Sequence, residues 1–294
     1  MVINNTEQNI IIQNNGYWNK YQGAIIPLMP PHLEMHPGER ELRQLTEKSR
    51  PYFIRWTSDW DCGAETPFWF IIKDSAEDLA EYSSKVRNVI KKGISRCFAR
   101  MITGEELERD GYPVYLKAFA GYNTSQKPMT PEKFRFQVEN LYRVGEWQFW
   151  GLFSKEDMRM TGYSMNWIYE NACEYKMIKL DPDYLKDAGG YLLIHEMNKH
   201  YLNDRRFTYV NDGARSLAHD SNVQEFLEKK FGFRKAYCRL HLYYRRPVRI
   251  AVTLLYPFRN FIYPAKTEVT RKVSILLRHE EIARGCMNRG PVIH

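Results

Sequence analysis

The segment 187–244 constrains the fold of this chain more than any other part of the sequence. A glycine pair, Gly189-Gly190, opens a stretch with the apolar spacing of a helix, and a short strand follows over 207–210. A second helix is predicted over 222–230, and its Phe-Gly-Phe ending leads into a long alternating strand. This order of elements predicts an α/β fold (an α+β mixed sheet) in which a glycine turn leads directly into a helix.

The strand that precedes this segment changes phase along its length. Cys173, Tyr175 and Met177 alternate, and then Ile178 and Leu180 continue out of step. A shift of one residue indicates a β-bulge, because one extra residue reverses which side chains face the core. An irregular strand end is the alternative interpretation.

Together, the phase shift, the glycine turn and the Phe-Gly-Phe ending resemble the acyl-CoA-binding half of the GNAT (GCN5-related N-acetyltransferase) superfamily. In that family the strand before the cofactor helix is bulged and splayed, and the turn holds the pyrophosphate of acetyl-CoA through an Arg/Gln-x-x-Gly-x-Gly/Ala pattern. The sequence from Lys186 to Tyr191 matches that pattern loosely. The resemblance implies that Lys186, Gly189, Gly190 and Tyr191 bind the pyrophosphate, and that Asn222, at the start of the second helix, also contacts the cofactor.

A helix N-terminus is suited to this task because its first N–H groups have no intrahelical acceptor and carry a partial positive charge. Glycine also lets a phosphate approach the backbone closely. The alternative is that Asp187 caps the helix and that Gly189-Gly190 only permits close packing of the helix on the sheet.

The strand after the second helix offers candidate catalytic side chains. In GNAT enzymes a tyrosine near the end of that helix donates a proton to the leaving thiolate, but here the matching position is Glu228 and the nearest tyrosine is Tyr237. Strict alternation puts Tyr237, Arg239 and His241 on one polar face of the strand. We therefore expect His241, as a general base, or Tyr237 near the reacting centre. The alternative is an edge strand that turns this face to solvent.

A basic run between Lys85 and Arg100 points to a different acyl donor. The segment 83–93, with its Lys, Arg and Asn residues and its closing Gly93, resembles a helix of Fem-type aminoacyltransferases. Those proteins join two GNAT-like domains and transfer an amino acid from aminoacyl-tRNA. The resemblance implies two tandem GNAT-like halves, and tRNA as a partner.

The predicted domains follow from this resemblance and from a polar linker near residue 125. We predict a diverged GNAT-like N-terminal domain over 1–125, a GNAT-like C-terminal domain over 126–246, and a basic C-terminal extension over 247–294.

The composition favours certain partners and excludes some locations. The net charge of +8 favours anionic partners such as phosphate-rich cofactors, RNA or anionic lipid, and a solvated basic face is the alternative. Five scattered cysteines with no CxxC pair indicate reduced thiols. The sequence shows neither a secretory signal nor an apolar run long enough for a transmembrane helix, so we expect a cytoplasmic protein.

No metal site is expected from the histidines. His195 and His200 are five residues apart, whereas zinc-binding helices place their histidines at i and i+4. His32 and His36 have that spacing but lie among prolines, where a helix is not expected.

The expected function is transfer of an acyl group from acyl-CoA, such as acetyl-CoA, to an amine on a small molecule or peptide. Two alternatives stay open: a Fem-like aminoacyltransferase that uses aminoacyl-tRNA, and a catalytically silent GNAT-like binding protein. The sequence indicates neither the acceptor nor the oligomeric state.

Overall fold

The computed structural model describes residues 10–13, 16–21, 23–75, 78–122, 127–144, 146–216, 223–264 and 267–287. The strands are β1 (Ile10–Gln13), β2 (Gly16–Tyr21), β3 (Ala24–Pro27), β4 (Phe53–Ser58), β5 (Phe68–Lys73), β6 (Cys97–Ile102), β7 (Trp147–Ser154), β8 (Met160–Tyr169), β9 (Ala172–Leu180), β10 (Tyr209–Ala214) and β11 (Arg234–Tyr244). The α-helices are α1 (Glu39–Ser49), α2 (Ser84–Arg96), α3 (Gly104–Ala120), α4 (Pro131–Val144), α5 (Gly189–Asn198), α6 (Val223–Phe231), α7 (Arg246–Leu255), α8 (Arg259–Ile262) and α9 (Glu268–Met287).

The chain divides into two compact units, each of which is built from separate stretches of sequence. Unit 1 consists of Met1–Phe70, Ala214–Asn222 and Lys235–His294, and unit 2 consists of Ile71–Gly213 and Val223–Arg234. The domain boundaries that the sequence suggests, 1–125, 126–246 and 247–294, stay a prediction. The compact units follow a different division, because the chain passes from one unit to the other several times.

Unit 1 contains a sheet in the order β1-β2-β3-β4-β11. Its neighbouring strands are antiparallel except for β3 and β4, which are parallel. Helix α1 contributes Leu42 and Leu45 to a core that also contains Trp18, Ile25 and Ile54. Fully burying such side chains is worth about 1.5–3 kcal/mol each, so this cluster is a main source of stability for the unit.

Unit 2 contains a sheet in the order β10-β9-β8-β7-β6, in which only β9 and β10 are parallel. Helices α3 and α4 pack on one face and helices α2 and α5 on the other. The alternation of β8 shows this division, since Tyr163 contacts Phe134 of α4 whereas the next residue, Ser164, bonds to Asn166 in the polar network beneath α5. The described helices include none with the length and apolar composition needed to span a bilayer.

The β-bulge predicted in the strand before the glycine turn is confirmed. Met165 pairs with Met177 and Asn166 pairs with Tyr175, so Lys176 of β9 is the extra residue. The bulge lies slightly nearer the start of the strand than the phase change of the sequence, which comes after Met177.

The segment 83–93 forms a helix, but the expectation that Gly93 closes it is wrong. Helix α2 begins at Ser84, its N-cap Ser83 accepts a hydrogen bond from the Val86 N–H at 3.4 Å, and Gly93 lies inside the helix. The short strand predicted over 207–210 also differs, since β10 runs over Tyr209–Ala214 and includes Asp212-Gly213. Both errors have one cause: Gly93 and Asp212-Gly213 resemble local stop signals, and tertiary packing overrides them.

Gly93 is expected to be required for the contact between α2 and α5. A Cβ at this position would lie 2.9 Å from the Ala188 carbonyl oxygen and 3.0 Å from Leu192 Cβ. Gly93→Ala should lower the free energy of unfolding by about 1–2 kcal/mol net. Overpacking against a backbone oxygen falls in the upper part of the usual range, about 2–3 kcal/mol, and alanine's helix propensity offsets only about 1 kcal/mol. Denaturant unfolding would measure the loss, with exposed Lys92→Ala as the control. A Gly93→Ala protein as stable as the wild type would contradict the tight contact.

Candidate functional site

The glycine turn joins a 3-10 turn, Pro182–Asp187, to helix α5. The N-cap is Ala188, which has a left-handed backbone with a φ of 60° and makes no side-chain cap bond. The idea that Asp187 caps the helix is therefore wrong. Its carboxylate instead accepts a bond from Arg96 Nη1 at 3.1 Å, which ties the turn to the end of α2.

The start of α5 presents two N–H groups that a ligand could use. The N–H groups of Tyr191 and Leu192 are not among them, because both donate to the Ala188 carbonyl oxygen, at 3.1 and 3.4 Å. The N–H groups of Gly189 and Gly190 precede them, and the first N–H groups of a helix have no intrahelical acceptor. Both glycines line a shallow groove of about 180 Å³, measured with the open solvent at its mouth, which is also lined by Leu152, Leu180 and Asp181.

The groove has an acidic side chain at its edge, and negative charge opposes the binding of pyrophosphate. Asp181 is buried, and its carboxylate accepts a bond from Lys117 Nζ at 2.9 Å. Lys117 also bonds to Asp183 at 2.6 Å, and these two hydrogen bonds, led by the one to Asp183, raise the pKa of its ammonium group. The predicted cation, Lys186, is exposed and is not among the residues that line the groove. Anion binding here would therefore depend mainly on the glycine N–H groups.

The predicted binding residues of the turn also have packing contacts. A Cβ on Gly189 would lie 2.5 Å from Leu152 Cδ2, and a Cβ on Gly190 would lie 2.7 Å from Leu180 Cδ1. The Tyr191 ring meets Phe226 of α6 edge-on, with ring centroids 5.0 Å apart. Close packing of helix on sheet thus accounts for the glycine pair. Pyrophosphate binding by Lys186, Gly189, Gly190 and Tyr191 stays a prediction, and Asn222 lies outside the described residues.

A second feature of unit 2 is a fork between β9 and β10. The two parallel strands pair through only three residue pairs, the last of which is Glu174 with Asn211. Strand β9 continues to Leu180 and β10 continues beyond Asn211, but in the described part of the chain no further pairing joins them. We call this opening the strand fork. It matches the splayed strand pair that the resemblance to GNAT proteins predicts.

Asp212 is the first residue of β10 inside the strand fork, and it is half-buried. Burial raises the pKa of its carboxyl from 3.8 to about 7, and the nearby negative charge of Glu174 adds to the effect. None of the described residues forms a hydrogen bond or ion pair with this carboxylate. A carboxyl that titrates near neutral pH and has no partner is suited to act as a general base.

The sequence prediction missed Asp212 because Asp-Gly is a common turn signal. The signal that identifies it is its place at the carboxyl end of a parallel strand, where ligands bind in many open α/β sheets.

The residue of β9 that follows the last pair, Tyr175, faces a buried amide. Its hydroxyl donates to Asn198 Oδ1 at 2.9 Å, and Asn198 is only 1% exposed. The Asn198 Nδ2 group has no hydrogen-bond partner in the described structure. Burial raises the pKa of the Tyr175 hydroxyl, and the negative charges of several nearby groups, including Asp212, add to this effect. The hydroxyl therefore stays protonated at neutral pH.

An ion pair lies at the mouth of the strand fork. Lys176, the bulged residue, bonds to Glu174 with Nζ and Oε1 2.6 Å apart, and its ammonium lies 5.1 Å from the centroid of the Trp167 ring. The Glu174 Oε1 atom also lies 3.6 Å from the position of a Cβ on Gly213. The bulge therefore pairs a cation with Glu174, the carboxylate whose charge contributes to the raised pKa of Asp212.

The two catalytic residues predicted from the sequence, Tyr237 and His241, lie on β11 in unit 1, whereas the glycine turn and Asp212 lie in unit 2. His241 Nε2 is 2.7 Å from Ser58 Oγ, and its ring stacks on Trp56 with centroids 5.2 Å apart. Burial lowers the pKa of His241, so the imidazole is neutral at physiological pH.

The solvent-facing edge strand considered as an alternative for this face is wrong, since β11 lies between β4 and β5 in the sheet order and both residues are half-buried. A catalytic role for Tyr237 or His241 stays a prediction.

The described residues include no group of three or more His, Cys, Asp or Glu side chains placed to hold a metal ion.

Comparison with known proteins adds information on the fold. No protein-family model matches the sequence, and no curated protein matches it significantly. The structure of FemX is similar at a TM-score of 0.52 and 8% identity, over 81% of this chain and 85% of that chain. A protein of unknown function from Bacteroides thetaiotaomicron has a TM-score of 0.51 and 11% identity, over 77% of this chain and 81% of that chain.

A GCN5-related N-acetyltransferase from Sphaerobacter thermophilus is more distant, with a TM-score of 0.42, 12% identity, and coverage of 78% of this chain and 76% of that chain. At these identities the likeness concerns the fold. The predicted architecture is confirmed: this chain has a mixed α/β, GNAT-like fold, and it shares that fold with FemX.

Proposed function

We propose that this protein transfers an acyl group from a thioester or ester donor to an amine, and that the reaction takes place at the strand fork. The observation that carries the proposal is Asp212, a carboxyl inside the fork that has no partner among the described residues and whose pKa is raised to about 7. An amine must be neutral to attack a carbonyl carbon, and a base that titrates near the working pH removes its proton most effectively.

The chemistry requires one proton to move twice. The Asp212 carboxylate takes a proton from the attacking amine as the C–N bond forms. The tetrahedral intermediate then collapses, the bond from carbon to the leaving sulfur or oxygen breaks, and Asp212 returns the proton to that atom. Tyr175 is unsuited to be the acid because burial holds its proton too tightly. Asp212 thus compensates for the tyrosine that GNAT proteins carry where this chain has Glu228.

Acyl-CoA is the donor that the glycine turn favours. The N–H groups of Gly189 and Gly190 can donate hydrogen bonds to the oxygen atoms of a pyrophosphate. The partial positive charge of the α5 N-terminus favours the same negatively charged group. The acceptor would be an amine of a small molecule or a peptide.

Aminoacyl-tRNA is a second candidate donor, and the acidic groove favours it. Asp181 lines the groove beside the glycine pair, where it would repel a pyrophosphate, whereas an aminoacyl ester needs no pyrophosphate site. The basic run over 85–100 offers exposed Lys85, Lys91 and Lys92 to RNA, although Arg96 and Arg100 are paired within the protein.

Calorimetric titration with acetyl-CoA, and with free CoA alongside, tests the donor. We expect micromolar binding by the wild type and no binding by Gly190→Asp, which places a carboxylate at the N-terminus of α5. Gly38→Asp is the matched control, because it places the same charge at the exposed N-cap of α1 and has no atom within 4 Å of its Cβ. Thermal melting of both variants confirms that they are folded.

Absence of heat and of thermal stabilisation at millimolar CoA would overturn the acyl-CoA donor. Aminoacyl-tRNA then becomes the donor if RNA binding weakens steeply with salt, as release of counterions from phosphates requires. A protein that binds neither CoA nor RNA would be the catalytically silent binding module.

A further inference from the structure

The segment from Arg246 to Ile262 in unit 1 has an unusual distribution of side chains. Helix α7 continues through a 3-10 turn, Tyr256–Phe258, into the short helix α8. Four large apolar residues point to solvent: Ile250 is 62% exposed, Leu254 66%, Phe258 59% and Phe261 83%. Their spacing of four, four and three residues keeps them on one side of the segment. We call these four residues the apolar face.

The opposite side of the segment, which packs on α9, includes the buried Val252 together with several polar contacts. Arg259 Nε bonds to Glu281 Oε1 at 3.0 Å, and the Tyr263 hydroxyl donates to the same carboxylate at 2.9 Å. The Arg284 guanidinium lies 3.9 Å from the centroid of the Tyr256 ring. A helix on the surface of a water-soluble protein normally buries its apolar stripe and exposes its polar one. This segment buries Val252 but leaves four larger apolar side chains in solvent, so the apolar face is available for a partner.

The charge around the apolar face restricts what that partner can be. Residues 245–267 contain five cationic side chains and no Asp or Glu. Arg246 and Arg249 are exposed beside the apolar face, at the start of α7. A second copy of the chain, docked through the same surface, would bring these like charges together. A surface that offers both hydrocarbon and negative charge satisfies the apolar and the cationic groups at once.

We propose that the apolar face and its arginines bind the surface of an anionic phospholipid bilayer. The phenyl and aliphatic side chains enter the boundary between headgroups and acyl chains, and Arg246 and Arg249 contact lipid phosphates. Interfacial helices have this combination of an apolar face and flanking basic residues. The inference is independent of the proposed acyl transfer, because none of these residues belongs to the strand fork or the glycine turn.

Flotation with vesicles tests this inference on the full-length protein. We expect the wild type to float with vesicles of phosphatidylcholine mixed with phosphatidylglycerol, and at least tenfold less with phosphatidylcholine alone. The double variant Phe258→Ser/Phe261→Ser should lose at least tenfold in partitioning, because it removes both phenyl rings of the apolar face. Arg246→Gln/Arg249→Gln should lose on the order of thirtyfold on the anionic vesicles, and its residual binding should respond less to salt.

The control variant is Phe136→Ser, which removes a phenylalanine of similar exposure, 56%, from helix α4. It should partition as the wild type does. All the substituted side chains are exposed, and melting curves verify that the variants fold. Failure of the wild type to float, or equal flotation of the wild type and the Phe258→Ser/Phe261→Ser variant, would overturn the proposal. So would a self-association seen by sedimentation that this variant abolishes in the absence of lipid binding, since the face would then belong to a second copy.

Discussion

Replacing Asp212 by asparagine is expected to lower the rate of acyl transfer by about 100- to 10,000-fold, the usual contribution of a general base. The change keeps the shape of the side chain and removes only its ability to accept and return a proton. CoA release from acetyl-CoA in the presence of a panel of primary amines would measure the rate. The wild-type rate should rise with pH through about 7, where Asp212 loses its proton, and this rising limb should be absent in Asp212→Asn.

The same substitution should make the protein more stable. The pKa of Asp212 is about 7 in the folded protein and near 3.8 when unfolded, so the folded state binds more protons between these values. Stability therefore falls as the pH rises through this window, and above it the buried, ionised carboxylate destabilises the folded state. The difference corresponds to at most about 4 kcal/mol, and we expect a gain of about 1–3 kcal/mol for Asp212→Asn above pH 7.

This combination of a slower reaction and a more stable fold separates catalysis from structural damage. Asp212→Glu should recover part of the rate, because it restores a carboxyl group. Asp204→Asn, at a carboxylate that is 59% exposed, serves as the control and should change neither quantity. Full activity of Asp212→Asn would remove Asp212 from the mechanism, and a large loss of stability would show that its role is structural.

Replacing Tyr201 by phenylalanine is expected to change the stability of unit 2 more than Gly93→Ala or Asp212→Asn. Tyr201 lies in the π-helical turn after α5 and is fully buried. Its hydroxyl accepts bonds from Trp150 Nε1 at 3.1 Å and from Asn166 Nδ2 at 3.2 Å. Phenylalanine would leave both donors buried without this acceptor. Two such groups at about 1–3 kcal/mol each give an upper limit of about 6 kcal/mol. Because Asn166 Nδ2 also contacts Met197 Sδ at 3.3 Å, we expect a loss in the lower part of this range, about 2–4 kcal/mol.

Denaturant unfolding of Tyr201→Phe and of Tyr142→Phe would test this expectation as a matched pair. Tyr142 is 53% exposed, and a surface change of this kind usually alters stability by less than about 0.5 kcal/mol. A Tyr201→Phe protein no less stable than the Tyr142→Phe protein would mean that Trp150 and Asn166 find other partners.

The sequence predicted the parts of this fold that depend on local patterns. The phase change between Tyr175 and Ile178 indicated the bulge because side-chain alternation has a period of two, so one extra residue is visible without any tertiary information. The glycine turn was also evident, since Gly189 opens α5 as predicted. These features led to the correct fold class.

The candidate site was harder to predict because it depends on contacts between distant residues. Gly93 resembles a helix end, but its role comes from Ala188, which lies far along the chain. Asp212 resembles a turn residue, but its raised pKa comes from burial and from Glu174 on a neighbouring strand. Neither the neighbours nor the burial can be read from one segment, so a single sequence identifies these residues only as local signals.

The division of the chain into interleaved units has a consequence for synthesis on the ribosome. Unit 2 is complete in sequence once Arg234 has been made, whereas unit 1 still lacks Lys235–His294, which supplies most of β11 and all of α9. Domains generally fold in the order in which they emerge, from the N-terminus onward. Here unit 1 begins first but cannot finish folding until Lys235–His294 has been made. Its N-terminal strands therefore stay without β11 while unit 2, which lies between the stretches of unit 1 in the sequence, folds.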